Sequence, residues 1–198
     1  MADAAILRRP AAAGLALFAH PRSVALSAVN GVARLSVRAG HETVAAIGRA
    51  FGVELPLAPL RSNARDGRAA LWLGPDEWLL LLEEAEAEAA AAALQAAVGD
   101  RLWSCVDISH RNAGFLIAGP RVAEVLNAGC PLPLDPGAFP IGRCTRTLFG
   151  KAEIVLWRVG EAAFRIEVAR SFAAYLASLV AEAAREHMAL DPRRTGLG

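Results

Sequence analysis

The stretch Ala70-Leu-Trp-Leu73, Gly74-Pro75-Asp76-Glu77, Trp78-Leu-Leu-Leu-Leu82 decides how the chain is read. Two short apolar runs flank a turn rich in Gly, Pro and Asp, which predicts a β-hairpin. The pattern returns later as Leu156-Trp157, a Gly160-Glu161 turn and a strand through Phe164. Outward from each hairpin the order of elements is similar. Before the first, Val32-Ala-Arg-Leu-Ser-Val37 alternates as a strand does. Val44, Ile47 and Phe51 then share one face at helical spacing. Leu55-Pro-Leu57 follows, and the polar stretch 61–68 reads as a loop. After the hairpin, residues 83–98 are rich in Ala and Glu, carry acids where a helix dipole favours them, and end at Gly99.

The second half opens with Cys105-Val-Asp-Ile and a strand over 113–118. Gly119-Pro120 starts a helix, with Pro in a first turn that needs no amide donor. That helix carries Val122, Val125 and Leu126 and stops at Gly129; Pro131-Leu-Pro-Leu134 echoes Leu55-Pro-Leu57. Strands are expected over 144–149, 153–158 and 163–168. Ser171 is placed to cap a final helix, 172–186, with Phe172, Tyr175, Leu176, Leu179 and Val180 on its inner face. Each half reads as strand, helix, two more strands, helix. The expected fold is α+β: two similar halves, each an antiparallel sheet with helices on one face. The expected divisions are an N-terminal arm over 1–22, halves over 23–99 and 100–190, and a tail over 191–198, in one compact pseudo-duplicated unit. Chance similarity among Ala- and Leu-rich strands is the competing reading of the repeat.

Composition narrows the function. Of 198 residues, 55% are hydrophobic and 21% charged, which excludes a disordered chain. A net charge of +1 gives no bulk field toward nucleic acid or an acidic membrane. Arg outnumbers Lys 20 to 1 and Ala fills 44 positions, a bias that reads as GC-rich coding before it reads as chemistry. The three cysteines (Cys105, Cys130, Cys144) are an odd number without a C-x-x-C pair, as expected of reduced thiols in a cytoplasmic protein. Arg8-Arg9 and the run 11–19 imitate a signal peptide, but the run is mostly Ala and no small-x-small site follows. No window is long and apolar enough for a transmembrane helix.

No catalytic, cofactor-binding or metal-binding residue is predicted. Gly150-Lys151 is the nearest thing to a phosphate loop, but the preceding glycine is Gly142 and Ala152 replaces the Ser or Thr that would hold Mg²⁺. The histidines at 20, 41, 110 and 187 are scattered, and His41-Glu42 lacks the second His of a zinc helix. Asp107, Ser109 and His110 supply the residue types of a hydrolase triad, but residues two apart diverge along a strand. The expectation is that Asp107 and Ser109 bond nearby backbone and His110 closes a turn. Trp72, Trp78, Trp103 and Trp157 read as core or interface residues, and Glu83, Glu84, Glu86 and Glu88 as a solvated helix face. Arg143, Arg146, Arg158, Arg165 and Arg170 crowd the second half. They read either as exposed strand edges or as a partner-facing surface. Arg143, Arg146, Trp157 and Arg170 are the candidates for the second reading, because Trp and Arg dominate binding hot spots.

Val106-Asp-Ile-Ser-His-Arg-Asn-Ala-Gly-Phe-Leu-Ile-Ala-Gly-Pro and the downstream Gly142-Arg-Cys-Thr-Arg-Thr-Leu-Phe-Gly-Lys-Ala-Glu-Ile-Val-Leu-Trp resemble the folate-binding domain of aminomethyltransferases. That resemblance covers 100–186 well and 24–99 weakly. A set of five motifs in order is similar to a narrower family, the gamma subunits of heterotetrameric sarcosine oxidase. The motifs are Leu71-Trp-Leu-Gly-Pro-Asp-Glu-Trp-Leu, Asp107-Ile-Ser-His-Arg, Arg143-Cys-Thr-Arg-Thr-Leu, Lys151-Ala-Glu-Ile-Val-Leu-Trp and Phe164-Arg-Ile-Glu-Val-Ala-Arg-Ser-Phe.

The resemblance implies a non-catalytic subunit of a complex that demethylates sarcosine oxidatively to glycine, passes the one-carbon unit to tetrahydrofolate and releases hydrogen peroxide. It implies alpha, beta and delta subunits as partners. FAD, FMN, NAD and tetrahydrofolate would sit on those subunits and none on this chain. The transferases carry their catalytic carboxylate just before the strand written here Ile154-Val-Leu-Trp157. Here Lys151 and Ala152 stand there, with Glu153 close by, so the fold is implied without the activity. The alternatives are a free-standing folate-binding or aminomethyltransferase-like protein and a scaffold unrelated to one-carbon chemistry.

Overall fold

The computed structural model describes residues 14–189 apart from Ala16 and Pro21, so most of the arm and all of the tail lie outside the described residues. In chain order the first elements are β1 (Phe18–Ala19), β2 (Ala25–Val29), β3 (Val32–Ala39), α1 (His41–Phe51), β4 (Ser62–Arg65), β5 (Arg68–Gly74), β6 (Glu77–Glu83) and α2 (Ala87–Val98). They are followed by β7 (Trp103–Asp107), β8 (Asn112–Ala118), α3 (Val122–Asn127), β9 (Cys144–Phe149), β10 (Ala152–Gly160), β11 (Ala163–Ala169) and α4 (Ala173–Ala189).

Two antiparallel sheets result, ordered β4-β5-β6-β3-β7 and β1-β2-β8-β11-β10-β9. Each carries its helices on one face and turns the other face toward its neighbour. The strand period of two sorts the side chains between these layers. In β6, Trp78, Leu80 and Leu82 pack with Ile47, Phe51 and Leu94 from α1 and α2. The intervening Leu79 and Leu81 meet Ala69, Leu71, Cys144 and Val155 between the sheets. Burial on both sides explains the unbroken Trp-Leu-Leu-Leu-Leu run. The second sheet does the same. Ile154, Leu156, Phe164, Ile166 and Val168 join Val125, Leu126, Leu176 and Val180 from α3 and α4.

The order β4-β5-β6-β3 recurs as β9-β10-β11-β8, with a helix after the first strand and another after the last. Each half contains three strands after its first helix. The strand β4 lies inside the stretch that reads as a loop, because its exposed Ser-Asn-Ala-Arg sequence has no apolar face to announce it. The leading strands are exchanged: β2 precedes β3 in sequence but pairs with β8, and β7 precedes β8 but pairs with β3. Both ladders cross the expected division at 99/100.

Four local expectations are corrected. Residue 83 ends β6 and residues 84–86 form a 3-10 turn, so α2 begins at Ala87. Ser171 lies within a second such turn, Arg170–Phe172, whose start has no side-chain cap. The inner face of α4 is Ala173, Leu176, Ala177, Val180 and Ala184, leaving Phe172 and Tyr175 41% and 36% exposed. The two hairpins also align one residue away from the sequence echo. Both have a bulge and a two-residue loop, and they equate Trp72↔Trp78 with Arg158↔Phe164. Trp157 is therefore the counterpart of Leu71 and faces the other sheet, since a one-residue slip changes the face.

Candidate functional site

The chemistry-bearing side chains lie mainly between the sheets. Glu167 of β11 is 2% exposed and Arg34 of β3 is 4% exposed. Arg34 Nε donates to Glu167 Oε2 across the two sheets, and Arg165 Nε donates to Glu167 Oε1 at 2.8 Å. Arg34 Nη1 also donates to the Val32 carbonyl at 2.7 Å. Gly114 of β8 makes the crossing possible, because a Cβ there would collide with Arg34 Nη2 and Glu167 Oε1. Two guanidiniums on one carboxylate satisfy a buried charge that would otherwise be very costly. The pair ties one sheet to the other, and Glu167 also lines a cavity of about 120 Å³.

A second inter-sheet cluster centres on Glu77, which is 8% exposed. Arg146 of β9 donates to both its oxygens, from Nη1 at 3.0 Å and from Nη2. Arg38 Nη2 donates to Oε2 at 3.1 Å. The Arg146 hydrogen bond, with the charges of Arg146 and Arg38, holds the Glu77 carboxyl below its ordinary range against the opposing effect of burial. Glu77 in turn raises the affinity of Arg146 for its proton.

Asp107, Ser109 and His110 form a turn rather than a catalytic relay. Asp107 Oδ1 accepts from both the Ser109 N–H, at 2.8 Å, and the Ser109 hydroxyl, while Ser109 Oγ accepts from the Arg34 N–H at 2.9 Å. The turn is closed by Arg111 N–H on the Ile108 carbonyl at 3.0 Å, with His110 exposed at its tip. Lys151 is exposed in the β9–β10 turn, Ala152 is fully buried beneath the helices, and Glu153 is exposed opposite Leu148. Among the described residues no cluster of His, Cys, Asp and Glu could hold a metal ion. The cysteines are free; burial and the nearby Asp107 push the Cys105 thiol up to about 11, and burial pushes Cys144 up to about 12.

The four surface candidates separate. Arg143 donates to its own loop at the Ala138 carbonyl, 2.9 Å, and lies over the Phe139 ring. Trp157 packs partly buried in the inter-sheet cluster. Arg158, also from that arginine-rich half, is buried and donates to the carbonyls of Leu134, Phe139 and Gly160. Arg146 and Arg170 reach the surface. Arg146 and Phe172 rim a cavity of about 120 Å³ together with Arg111 and Glu153. Leu148 is 49% exposed across from Glu153, and Tyr175 lies edge-on to Phe172.

Residues 37–186 match the model of the sarcosine oxidase, gamma subunit family. The chain belongs to that family.

Family membership extends over nearly the whole chain. It is 36% identical to sarcosine oxidase subunit gamma from Corynebacterium sp. strain U-96, over 96% of this chain and 97% of that relative. It is 35% identical to the same-named subunit from an Arthrobacter species, over 71% and 67% of the two chains. In three dimensions it matches a chain of heterotetrameric sarcosine oxidase from Corynebacterium sp. U-96 with a TM-score of 0.85 and 35% identity, covering 92% of this chain and 97% of that one. Aminomethyltransferase T from Bartonella henselae shares the fold, with a TM-score of 0.60 at 16% identity over 81% of this chain and 46% of that one.

Sequence reasoning missed the Arg34–Glu167 and Glu77–Arg146 pairs of this family member. The first pair had a signal: charged residues stand inside Val32-Ala-Arg-Leu and Phe164-Arg-Ile-Glu-Val, which are otherwise strongly apolar strands. What the sequence does not give is that a second sheet covers that face.

Proposed function

We propose that this chain is a non-catalytic subunit of a heterotetrameric sarcosine oxidase. The observation that carries the reading is the near-complete match, in sequence and in space, to a chain of such an enzyme. The site chemistry supports it. Asp107 and Ser109 are spent on a turn, and the buried charges tie the two sheets together. The segment where the transferases keep their carboxylate offers an exposed Lys151 and a buried Ala152. On this reading the alpha, beta and delta subunits bind FAD, FMN, NAD and tetrahydrofolate in the cytoplasm. They oxidise sarcosine to glycine, transfer the one-carbon unit and release hydrogen peroxide. This chain completes their assembly.

The contact surface we assign includes Arg146 and Arg170, with Leu148 and Phe172 supplying exposed apolar area beside them. Aromatic and Arg side chains concentrate binding energy at such surfaces. Co-expression with the larger subunits should give one co-purifying complex. Phe172→Ala with Arg170→Glu should weaken it by more than any loss in the isolated chain's melting temperature accounts for. The free-standing folate-binding alternative is tested on the isolated chain. Micromolar tetrahydrofolate affinity, about −8 kcal/mol, would support that alternative against ours.

A further inference from the structure

The internal duplication points to an unfilled strand position. In the second sheet, β1 pairs antiparallel with the outer edge of β2, through Phe18↔Leu26 and Ala19↔Ala25. The strand β7 holds the equivalent place in the first sheet, since each is the leading strand lent to the opposite half. Among the described residues no strand pairs with the outer edge of β7.

Among the described residues, that edge keeps unused hydrogen-bonding capacity. Ile108 N–H bonds the Arg34 carbonyl at 2.8 Å, which makes 108/34 a bonded pair of the β3–β7 ladder. Antiparallel pairs alternate, so Val106/Ser36 and Ser104/Arg38 are bonded pairs as well. Trp103, Cys105 and Asp107 therefore direct their N–H and C=O groups away from β3. The edge is lightly protected: β7 carries no Pro, its one charged residue is Asp107 at its end, and Val106 is 54% exposed. A groove of about 510 Å³ lies between this edge and the start of α2. Its lining includes Glu84, Glu88 and Asp107 with Cys105 and His110, so the carboxylates outnumber the one basic group.

We propose that the outer edge of β7 receives an extended segment of a larger subunit, which adds as a sixth strand and places a Lys or Arg over Glu84, Glu88 and Asp107. Main-chain hydrogen bonds would supply affinity, and the acidic groove would select a basic segment. This rests on the assembly reading above and names one of its contacts.

Cys105 reports on the edge directly, because Cys130 and Cys144 are buried. Alkylation of Cys105 should slow about tenfold or more in the co-purified complex relative to the isolated full-length chain, as for any site closed by pairing. Cys105→Pro removes an outward N–H without touching the β3 ladder and should weaken assembly about tenfold. Glu84→Lys with Glu88→Lys, both on exposed positions, should weaken it too and leave the fold unchanged, so the test survives if the proline variant does not fold. A wild-type complex in which Cys105 reacts as fast as in the isolated chain would overturn the proposal. So would a Cys105 that is already protected in isolation and released by removing residues 190–198, since the chain itself would then fill the edge. If no larger subunit co-purifies with wild type, the assembly reading fails and this contact with it. Assembly with an unprotected Cys105 removes the contact alone.

Discussion

Arg34 and Glu167 meet from different sheets, so a change at either reaches the whole molecule. Glu167→Gln would leave Arg34 and Arg165 with no anionic partner in a nearly dry setting. Removing one member of a buried pair typically costs about 3–5 kcal/mol, and a denaturant titration should show a loss of that size. Gly114→Ala should also destabilise, because its methyl group would separate the same two side chains. Glu77 gives a pH-dependent case. Its carboxyl is held below the ordinary value of 4.5, so its contribution to stability is present above that value and is lost as pH falls through the folded value. Arg146→Ala should cost about 1–3 kcal/mol at pH 7, and the difference from wild type should shrink as pH falls below the ordinary value of 4.5 and Glu77 is protonated. A gap that stayed constant throughout that acid range would show that Glu77 is not the partner that matters.

At the scale of elements, Ala152 begins β10 with its side chain fully buried against α3 and α4. Ala152→Asp would bury a carboxylate without a partner there. It should cost several kcal/mol and bring no tetrahydrofolate binding, measurable together by thermal melting and titration. The strands and helices that were legible in the sequence are those with a clear apolar period. Trp78 to Leu82 read as a strand because both faces are buried, and Leu94 and Val98 fix α2 against the first sheet. The elements that escaped reading lack that signal. The strand β4 is exposed along most of its length, and β2 is short and joins a sheet whose strands, β1 apart, come from the opposite half. Phe172 and Tyr175 looked like inner-face residues because aromatic character outweighed their position one step around the helix. Of the candidate surface, the residue types supplied four names, but spacing alone could not reveal that Arg143, Arg146 and Trp157 are engaged within the chain, Arg146 through both oxygens of Glu77.

At the scale of the molecule, the exchange of β2 and β7 makes the two halves interdependent. Fragments 23–99 and 100–190 each take away the strand that the other needs, so neither should fold alone, whereas the two mixed should recover native circular dichroism. Independent two-state melting of either fragment would contradict this account. The architecture suits a subunit whose contribution is shape. Charged groups hold two sheets together, helices cover both outer faces, and exposed apolar and arginine side chains remain at the surface. The most direct measurement is co-expression of this chain with the larger sarcosine oxidase subunits, followed by size-exclusion chromatography and a sarcosine-dependent peroxide assay. The account predicts that the chain elutes stoichiometrically with the active complex and that the isolated chain has neither activity nor folate affinity. A chain that elutes by itself as a monomer while the remaining subunits assemble and turn over sarcosine without it would contradict the central claim.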